Sequence, residues 1–199
     1  MEKNKNVTII LGSNSFLGKQ LVNKSKDNFF LGSSSDKKAN FKFQIGDNLE
    51  NVVPNKIKIK KIIYLCWERR DFKIKNENIN IFGLKKIINF ADKKNIPIYF
   101  TSSFSAISRK NNYGKLKYKA EQLLKKKKIN KSFRIAMINY PKGGLIFKIN
   151  KIFKKLPFII LPDNGKFKIN LVKLDTVVKA LDKSYSKDIS LIYVYDYIG

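Results

Sequence analysis

The order of apolar and polar positions predicts a chain of alternating strands and helices. Val7–Leu11 is an apolar, β-branched run without alternation, which indicates a strand buried on both faces. A turn of small residues follows, and apolar side chains between Phe16 and Val22 then recur at helical spacing. A strand, a tight turn and a helix in this order form the first unit of a parallel α/β sheet.

The same alternation continues along the chain. We expect further strands at Asn28–Leu31, Phe41–Ile45, Lys61–Cys66, Ile98–Thr101, Arg134–Asn139 and Ser190–Tyr195. Helices are expected at Asn78–Lys94, from Tyr113 to the lysine run Lys125–Lys128, and at Leu145–Phe153. Glu68–Lys75 is expected to be a mobile charged loop, and 156–166 an extended segment that ends in a turn. The predicted fold class is α/β, a Rossmann-like, doubly wound and mainly parallel sheet.

Length and composition narrow the class of protein. The 199 residues fit one domain spanning 1–199, and a hydrophobic content of 43% suits a globular core. No apolar run approaches the roughly 20 residues of a membrane helix, and Met1–Asn6 does not lead into a signal peptide. Cys66 is the single cysteine and histidine is absent, which excludes an internal disulfide, a zinc site and a Ser-His triad. We therefore expect a cytoplasmic protein without a bound metal or a membrane partner.

The formal net charge of +27 raises the alternative of a nucleic-acid-associated protein. The positive charge is almost entirely lysine, spread through every segment, whereas nucleic-acid readers commonly add arginines for bidentate contacts. Lysine, asparagine and isoleucine share A/T-rich codons, so genomic base composition can account for the excess. We expect no specific nucleic-acid partner, but the charge would attract an anionic substrate such as a nucleotide diphosphate.

The small-residue turn is suited to a phosphate. Gly12 would allow a sharp exit from the strand and Gly18 close packing of the helix, while free N–H groups at the helix N-terminus would face an anion. An ordinary strand-to-helix turn is the alternative. The turn resembles the G-x-x-G-x-x-G loop of the extended short-chain dehydrogenase/reductase superfamily (the NAD-dependent epimerase/dehydratase family), with Ser15 in place of the middle glycine. The resemblance implies that cofactor contacts come from Gly12, Ser13, Asn14, Ser15, Phe16, Leu17 and Gly18.

Further cofactor positions follow from the same resemblance. Ser33 begins a stretch of hydroxyls and lysines that could accept a 2′-phosphate, a slight lean toward NADP, although Asp36 keeps NAD possible. Asp47 and Asn48 match the segment that approaches the adenine, but Asp47 could instead cap the short helix that follows.

The middle of the chain adds three more implied positions. Leu65 and Cys66 end the strand that lies beneath the cofactor in that family, and Asn80 matches an asparagine that helps to hold the active-site geometry. Trp67 is bulky for its place there. It would be a lid over the nicotinamide side or part of the core.

The chemistry is predicted to centre on Tyr113 and Lys117, which lie four residues apart on one helix face. A nearby ammonium would lower the pKa of the phenol toward neutrality. The pair resembles the Y-x-x-x-K motif of the superfamily. This implies that Tyr113 exchanges a proton with the substrate, Lys117 anchors the nicotinamide ribose and Ser103 orients the substrate oxygen, with Ser102 as the alternative.

The resemblance is dense before Glu121 and sparse after it. Tyr140–Gly144 matches a loop that touches the nicotinamide end, Asp175 is expected near a helix N-terminus, and 140–190 would form a reduced substrate-binding portion. The implied function is an NAD(P)-dependent oxidoreductase, epimerase or dehydratase acting on a nucleotide-linked sugar in polysaccharide biosynthesis, with a homodimer as a possible assembly. A catalytically inactive NAD(P)-binding module of the same fold is the alternative.

Overall fold

The computed structural model describes residues 6–155 and 169–198. Its strands are β1 (Val7–Leu11), β2 (Phe29–Ser33), β3 (Phe41–Lys42), β4 (Ile59–Tyr64), β5 (Lys73–Ile74), β6 (Glu77–Asn78), β7 (Ile98–Ser103), β8 (Lys131–Ile135), β9 (Met137–Asn139), β10 (Asn170–Lys173), β11 (Leu191–Val194) and β12 (Tyr197–Ile198). Its α-helices are α1 (Phe16–Lys24), α2 (Ile79–Lys93), α3 (Ser105–Ser108), α4 (Asn112–Lys125), α5 (Gly144–Phe153) and α6 (Leu174–Asp182), and Leu49–Asn51 forms a 3₁₀ turn.

A parallel sheet of seven strands organises the chain, in the order β11-β8-β7-β4-β1-β2-β3. The chain starts in the middle at β1, runs outward to β3, then returns to β4 and continues to the other edge. The predicted fold class is confirmed. The order reverses between β1 and β4, and ligands of such sheets bind outside the carboxyl ends of the strands at that point.

The core forms two clusters, one on each face of the sheet. Ile62 and Tyr64 of β4 face the cluster that contains α2 and α4, whereas Ile63 faces the cluster that contains α6. Ile9 and Ile10 of β1 divide in the same way. Because both faces of these strands are covered, their sequences are apolar without alternation, as predicted.

Part of the lysine excess is built into the interior. The Nζ of Lys61 on β4 donates to the carbonyls of Leu181 and Asp182, at 2.6 and 3.0 Å, where α6 ends. It also lies 4.7 Å from the ring centre of Tyr99. Lys131 donates to the carbonyls of Lys128 and Ser186 in a similar way. These ammonium groups supply donors for carbonyls that the local backbone leaves free.

Two predicted strands differ from the structure. Arg134–Asn139 is two strands rather than one, because the chain leaves the large sheet at Ala136 and β9 pairs with β10 in a small second sheet. The strand predicted over Phe41–Ile45 ends at Lys42, and a turn with Gly46 at φ +103° follows.

The segment expected to be a mobile loop, Glu68–Lys75, instead enters a short hairpin of β5 and β6. Lys75 and Asn76 form its turn with φ of 50° and 61°, the left-handed values that tight hairpin turns require. Asp175 lies in the first turn of α6, as predicted, and accepts from Lys24. The segment predicted as extended over 156–166 lies outside the described residues. Within the described ranges, no helix is long and apolar enough to cross a bilayer.

Candidate functional site

The small-residue turn after β1 is packed too closely to accept larger residues at its two glycines. Gly12 has φ +90°, and a Cβ there would lie 3.1 Å from the Sγ of Cys66. A Cβ on Gly18 would lie 2.6 Å from the carbonyl oxygens of Gly12 and Ser13. The loop after β1 therefore packs against the end of β4, and the first turn of α1 packs against this loop.

Ser15 has a structural role that the sequence resemblance does not predict. It is the N-cap of α1, and its Oγ accepts from the backbone N–H of Gly18 at 3.1 Å. The cap stabilises the helix start. It also engages one of the first-turn donors that would otherwise face an anionic ligand.

A cavity of about 850 Å³ opens beside this turn, at the carboxyl edge of β1, β2 and β4. We call this the turn side of the cleft. Of the predicted cofactor residues, the cavity is lined by Gly12, Asn14, Ser15, Ser33 and Cys66. Its outer wall comes from the segment before α2, including Arg70, Phe72 and Ile74, which the sequence pattern had placed in a mobile loop.

Hydrogen bonds tie the floor of the turn side to the end of β2. The Oγ of Ser33 accepts from the N–H groups of Ser35 and Asp36, at 3.3 and 3.2 Å, so it already has partners within its own turn. Asn14 donates to the Oγ of Ser35 at 2.8 Å, and Ser13 donates to the carboxylate of Asp36 at 3.5 Å. The hydroxyls and the carboxylate are thus fixed beside the glycine turn.

Asp47 and Asn48, two predicted cofactor positions, do not line this cavity themselves. The carboxylate of Asp47 accepts from the N–H of Gln44 at 2.6 Å and closes the turn after β3, where Gln44 lines the cavity. Its suggested role as a helix cap is wrong, because Asn48 occupies the N-cap position. Asn48 itself lines a separate groove against α2.

Of the remaining implied positions, Asn80 is buried, and Phe16, Leu17 and Leu65 are half-buried. The amide of Asn80 pairs with the backbone of Glu68, accepting at 2.7 Å and donating at 2.9 Å, and so fixes the segment that follows β4. Leu65 and Leu17 pack into the core. The ring of Phe16 lies 5.8 Å from that of Tyr140, so the start of α1 meets the loop predicted to lie at the nicotinamide end.

Lys117 and Tyr113 lie on α4, whose start is capped by Asn111. The Lys117 Nζ donates to the carbonyl of Thr101 at 2.7 Å, stands 3.8 Å from the ring centre of Trp67 and is 5.7 Å from that of Tyr113. Lys117 is only 4% exposed, and burial lowers its pKa to about 7. We call this region the tyrosine side of the cleft.

The pKa of Tyr113 corrects the electrostatic prediction. The residue is 40% exposed, and its ring meets Trp67 edge to face with the centres 6.0 Å apart. Burial raises the pKa of the phenol, with Ser103 and Arg69 acting in the opposite direction. The predicted lowering by Lys117 is wrong for this conformation, because the ammonium is directed to Thr101 and covered by Trp67.

The structure separates the two candidate serines at the end of β7. The Oγ of Ser102 is buried and donates to Glu121 at 2.5 Å, and Glu121 is paired with Arg134 at 2.7 Å. Ser103 is the serine beside Tyr113, and its Oγ accepts from the N–H of Ser105. Of the two serines, Ser103 is therefore the one that lies beside the phenol.

Trp67 and the Glu121–Arg134 pair are the main features that sequence reasoning left unassigned. Trp67 had been interpreted as either lid or core; it packs on Phe100 at 6.0 Å and also covers Lys117. Its position directly after Cys66 was the available signal, since small residues end this strand in the family that the sequence resembles. The buried ion pair had no local signal, because its partners come from α4 and β8.

The fold is shared with solved dehydrogenases and epimerases. The chain is similar to UDP-N-acetylglucosamine 4-epimerase from Bacillus cereus, with 18% identity and a TM-score of 0.64 over 96% of this chain and 76% of that one. It is similar to L-threonine dehydrogenase from Clostridium difficile, with 15% identity and a TM-score of 0.71 over 99% and 78%.

A third similar structure is a dTDP-glucose 4,6-dehydratase variant from Streptomyces venezuelae with NAD bound, at 12% identity and a TM-score of 0.67 over 95% of this chain and 76% of that one. No family model and no curated protein sequence matches the chain. The chain has the Rossmann-like fold of these enzymes. It is shorter than each of them, and the predicted resemblance is confirmed at the level of fold.

Proposed function

We propose that the chain is an NAD(P)-dependent oxidoreductase, epimerase or dehydratase that acts on a nucleotide-linked sugar. The observation that carries the proposal is the arrangement of Ser103, Tyr113 and Lys117 at the carboxyl edge of a sheet whose first strand ends in the turn of Gly12 and Gly18. Nucleotide-sugar enzymes among the similar structures support the substrate class. A threonine dehydrogenase among them indicates that this fold alone does not fix the substrate.

The residues of the turn side fit a dinucleotide. The two glycines allow the turn to pack closely between β4 and α1, and the cavity beside the start of α1 suits a pyrophosphate. Asp36 follows the end of β2, where an acidic residue meets the adenosine ribose in such folds. Asp36 favours NAD, whereas Lys37 and Lys42 line an adjoining hollow and favour the additional phosphate of NADP. When bound, the nicotinamide supplies hydride-transfer chemistry.

Residues of the tyrosine side would transfer the proton to or from the substrate. A phenol with a raised pKa stays protonated at neutral pH, so Tyr113 is suited to donate a proton to a substrate oxygen as a carbonyl is reduced. Ser103 would hydrogen-bond the same oxygen. To accept a proton in the oxidative direction, Tyr113 would need the Lys117 ammonium released from Thr101 and turned toward the phenol, because a nearby cation stabilises the phenolate.

A second function, binding of NAD(P) without turnover, is favoured by one observation. Trp67 stands 3.8 Å from the Lys117 Nζ, and the cavity lining includes neither Lys117 nor Tyr113. A chain in which Trp67 keeps this position would hold the nucleotide portion of the cofactor and leave the reactive pair covered.

Titration with NAD and NADP tests cofactor binding, since Trp67 is the single tryptophan and reports through its fluorescence. We expect saturable quenching by at least one dinucleotide, with the tighter of the two identifying the cofactor. Absence of quenching, together with absence of binding by calorimetry, would overturn both functions.

Turnover separates the two functions. Hydride transfer to or from a nucleotide sugar, lost in Tyr113→Phe with cofactor binding retained, would support the enzyme; turnover retained in that variant would contradict the assigned role of Tyr113. The matched control is Tyr118→Phe, which removes a second phenol hydroxyl from the same helix. Turnover that appears only in Trp67→Ala would establish the binding function for the natural chain.

A further inference from the structure

Helix α5 carries more exposed apolar surface than is usual for a helix that packs on a sheet. Within the described ranges none of its ten residues is buried, although its sequence is rich in isoleucine and phenylalanine. Leu145 is 53% exposed and Ile152 is 57% exposed, and Phe147 is also exposed. Large apolar side chains grouped in this way commonly mark a surface that binds a partner.

The apolar side chains of α5 lie mostly on one stripe. Leu145, Ile149 and Ile152 follow one another at spacings of four and three residues, which places them on a single face of the helix. Ile146 and Phe153 extend this stripe toward β9, the strand that α5 contacts. Apart from Phe147, the exposed apolar side chains of α5 therefore form a narrow ridge along the helix.

Lysines flank this ridge. Lys148 lies beside it, three residues after Leu145 and four before Ile152, and Lys151 lies farther round the helix. Lys148 and Lys151 are exposed within α5, and Lys154 and Lys155 are exposed immediately after it. An amphipathic helix with lysines on its polar face and leucine, isoleucine or phenylalanine on the other is the kind that lies in the plane of a membrane interface. A helix in that position does not need to span the bilayer.

The positive charge of the chain distinguishes two candidate partners for this apolar ridge, a second copy of the chain and a membrane surface. A second copy of the chain would bring the same four lysines and another net charge of +27 against the first, which opposes close approach. A surface of anionic phospholipids offers the opposite charge and an apolar layer beneath it. The lysines of α5 would then contact the anionic headgroups, and its apolar side chains would contact the apolar layer.

We propose that α5 binds the surface of a membrane that contains anionic phospholipids. Leu145, Ile149 and Ile152 enter the boundary between headgroups and acyl chains, and Lys148 and Lys151 lie among the lipid phosphates. The absence of a long apolar run, from which we expected no membrane partner, bears on spanning and not on binding at the surface. This inference is independent of the proposed enzymatic function.

Sedimentation of the full chain with lipid vesicles tests the proposal. We expect binding to vesicles of mixed phosphatidylcholine and phosphatidylglycerol, little binding to phosphatidylcholine alone, and weaker binding at high salt. The double variant Leu145→Ser with Ile152→Ser should lose about tenfold or more in affinity, because two apolar side chains leave the lipid. Equal binding to both kinds of vesicle, or to neither, would overturn the proposal.

Matched variants distinguish α5 from the rest of the basic surface. Ile107→Ser with Ile189→Ser removes two apolar side chains of similar exposure elsewhere and should leave binding unchanged. Lys148→Glu with Lys151→Glu should weaken binding far more than Lys126→Glu with Lys128→Glu, which changes two exposed lysines after α4. Equal losses from the two lysine pairs would indicate general charge attraction and contradict the proposal. Sedimentation velocity that shows a dimer abolished by the Leu145 and Ile152 changes would assign the ridge to a second copy instead.

Discussion

On the turn side of the cleft, Gly12 and the turn that follows Ser33 border an open cavity of about 850 Å³, whereas on the tyrosine side Trp67 covers Lys117 at 3.8 Å. The turn side is lined by small residues of the turns after β1 and β2 and, on its outer wall, by larger apolar and charged side chains. The tyrosine side is packed with aromatic rings and a cation. Under the proposed function, dinucleotide binding and proton transfer would thus depend on different kinds of residues.

The difference has a physical origin in the residues that end the strands. The turns of glycine and serine after β1 and β2 carry small side chains and leave a cavity beside them, while Trp67 after β4 fills the neighbouring space. Trp67 shields the Lys117 ammonium from water. Because a desolvated ammonium needs a hydrogen-bond partner, Lys117 donates to the Thr101 carbonyl. A small residue at position 67 would leave Lys117 closer to solvent and to a ligand.

The largest expected effect concerns the support beneath the tyrosine side. Arg134→Met leaves the carboxylate of Glu121 buried without its cation, and removal of one partner from a buried pair costs about 3–5 kcal/mol in the free energy of unfolding. Urea denaturation measures the change, with Arg70→Met, at an exposed pair, as the control. A loss as small as that of the control would mean that the tyrosine side is not held rigidly from below.

The next effect is a pH dependence that originates at Lys117. The pKa of this group is about 7 in the folded chain and near 10.5 in an unfolded one, so the unfolded chain binds more protons between these values and stability rises with pH. We expect the wild type to gain on the order of a few kcal/mol relative to Lys117→Met as the pH rises from neutral toward 10. Denaturation curves across this range measure the gain, and Lys115→Met, at an exposed position of α4, should respond to pH as the wild type does because it retains Lys117. A parallel pH response in the wild type and Lys117→Met would place the charge of Lys117 in water.

A third change tests the close packing of the turn side. Gly18→Ala directs a methyl group at two carbonyl oxygens 2.6 Å away, and overpacking of this kind costs roughly 1–3 kcal/mol. We expect the variant to unfold at lower urea and to lose dinucleotide binding, with Lys19→Ala on the exposed side of α1 as control. Binding that survives the change would show that the ligand does not use this turn.

The smallest effect concerns Ser15. Loss of its cap in Ser15→Ala should cost about 1 kcal/mol, and Ser15→Gly only a few tenths. If the released N–H of Gly18 then serves a phosphate, Ser15→Gly should bind the dinucleotide more tightly than the wild type despite its lower stability. Calorimetric titration of the three proteins compares their affinities, and weaker binding by the glycine variant would show that the Ser15 hydroxyl itself contacts the ligand.

The sheet could be predicted from the sequence because its strands are marked by apolar runs covered on both faces. Strand ends were less predictable: the burial of Phe43 continues the apolar pattern of β3 after the ladder has ended at Lys42. The break at Ala136 separates two strands, β8 and β9, that are contiguous in sequence. Pairing partners far along the chain decide such ends, and local pattern does not contain them.

The site could be predicted as a set of positions but not as a set of contacts. Ser103, Tyr113 and Lys117 are predicted from their resemblance to the motifs of the superfamily, and they remain a predicted site that the structure places at the end of β7 and the start of α4. The direction of the Lys117 ammonium depends on Trp67 and Thr101, which follow or belong to two other strands.

The outer wall of the cavity was not predicted, because it depends on a hairpin that the sequence pattern does not mark. Arg70, Phe72 and Ile74 reach it through a hairpin whose turn consists of the left-handed residues Lys75 and Asn76. These two residues carry no strong turn signal in a chain so rich in lysine and asparagine.

Lys61 and Lys131 show how a chain rich in lysine can use this residue in the protein interior. Each long aliphatic stem occupies apolar space as a leucine would, and each amine ends on carbonyls where a local segment of backbone stops. Counting every lysine as surface therefore overstates the charge available to attract counter-ions and understates the material available for folding. In chains of this composition, a lysine within a run of β-branched residues is a candidate for a buried position.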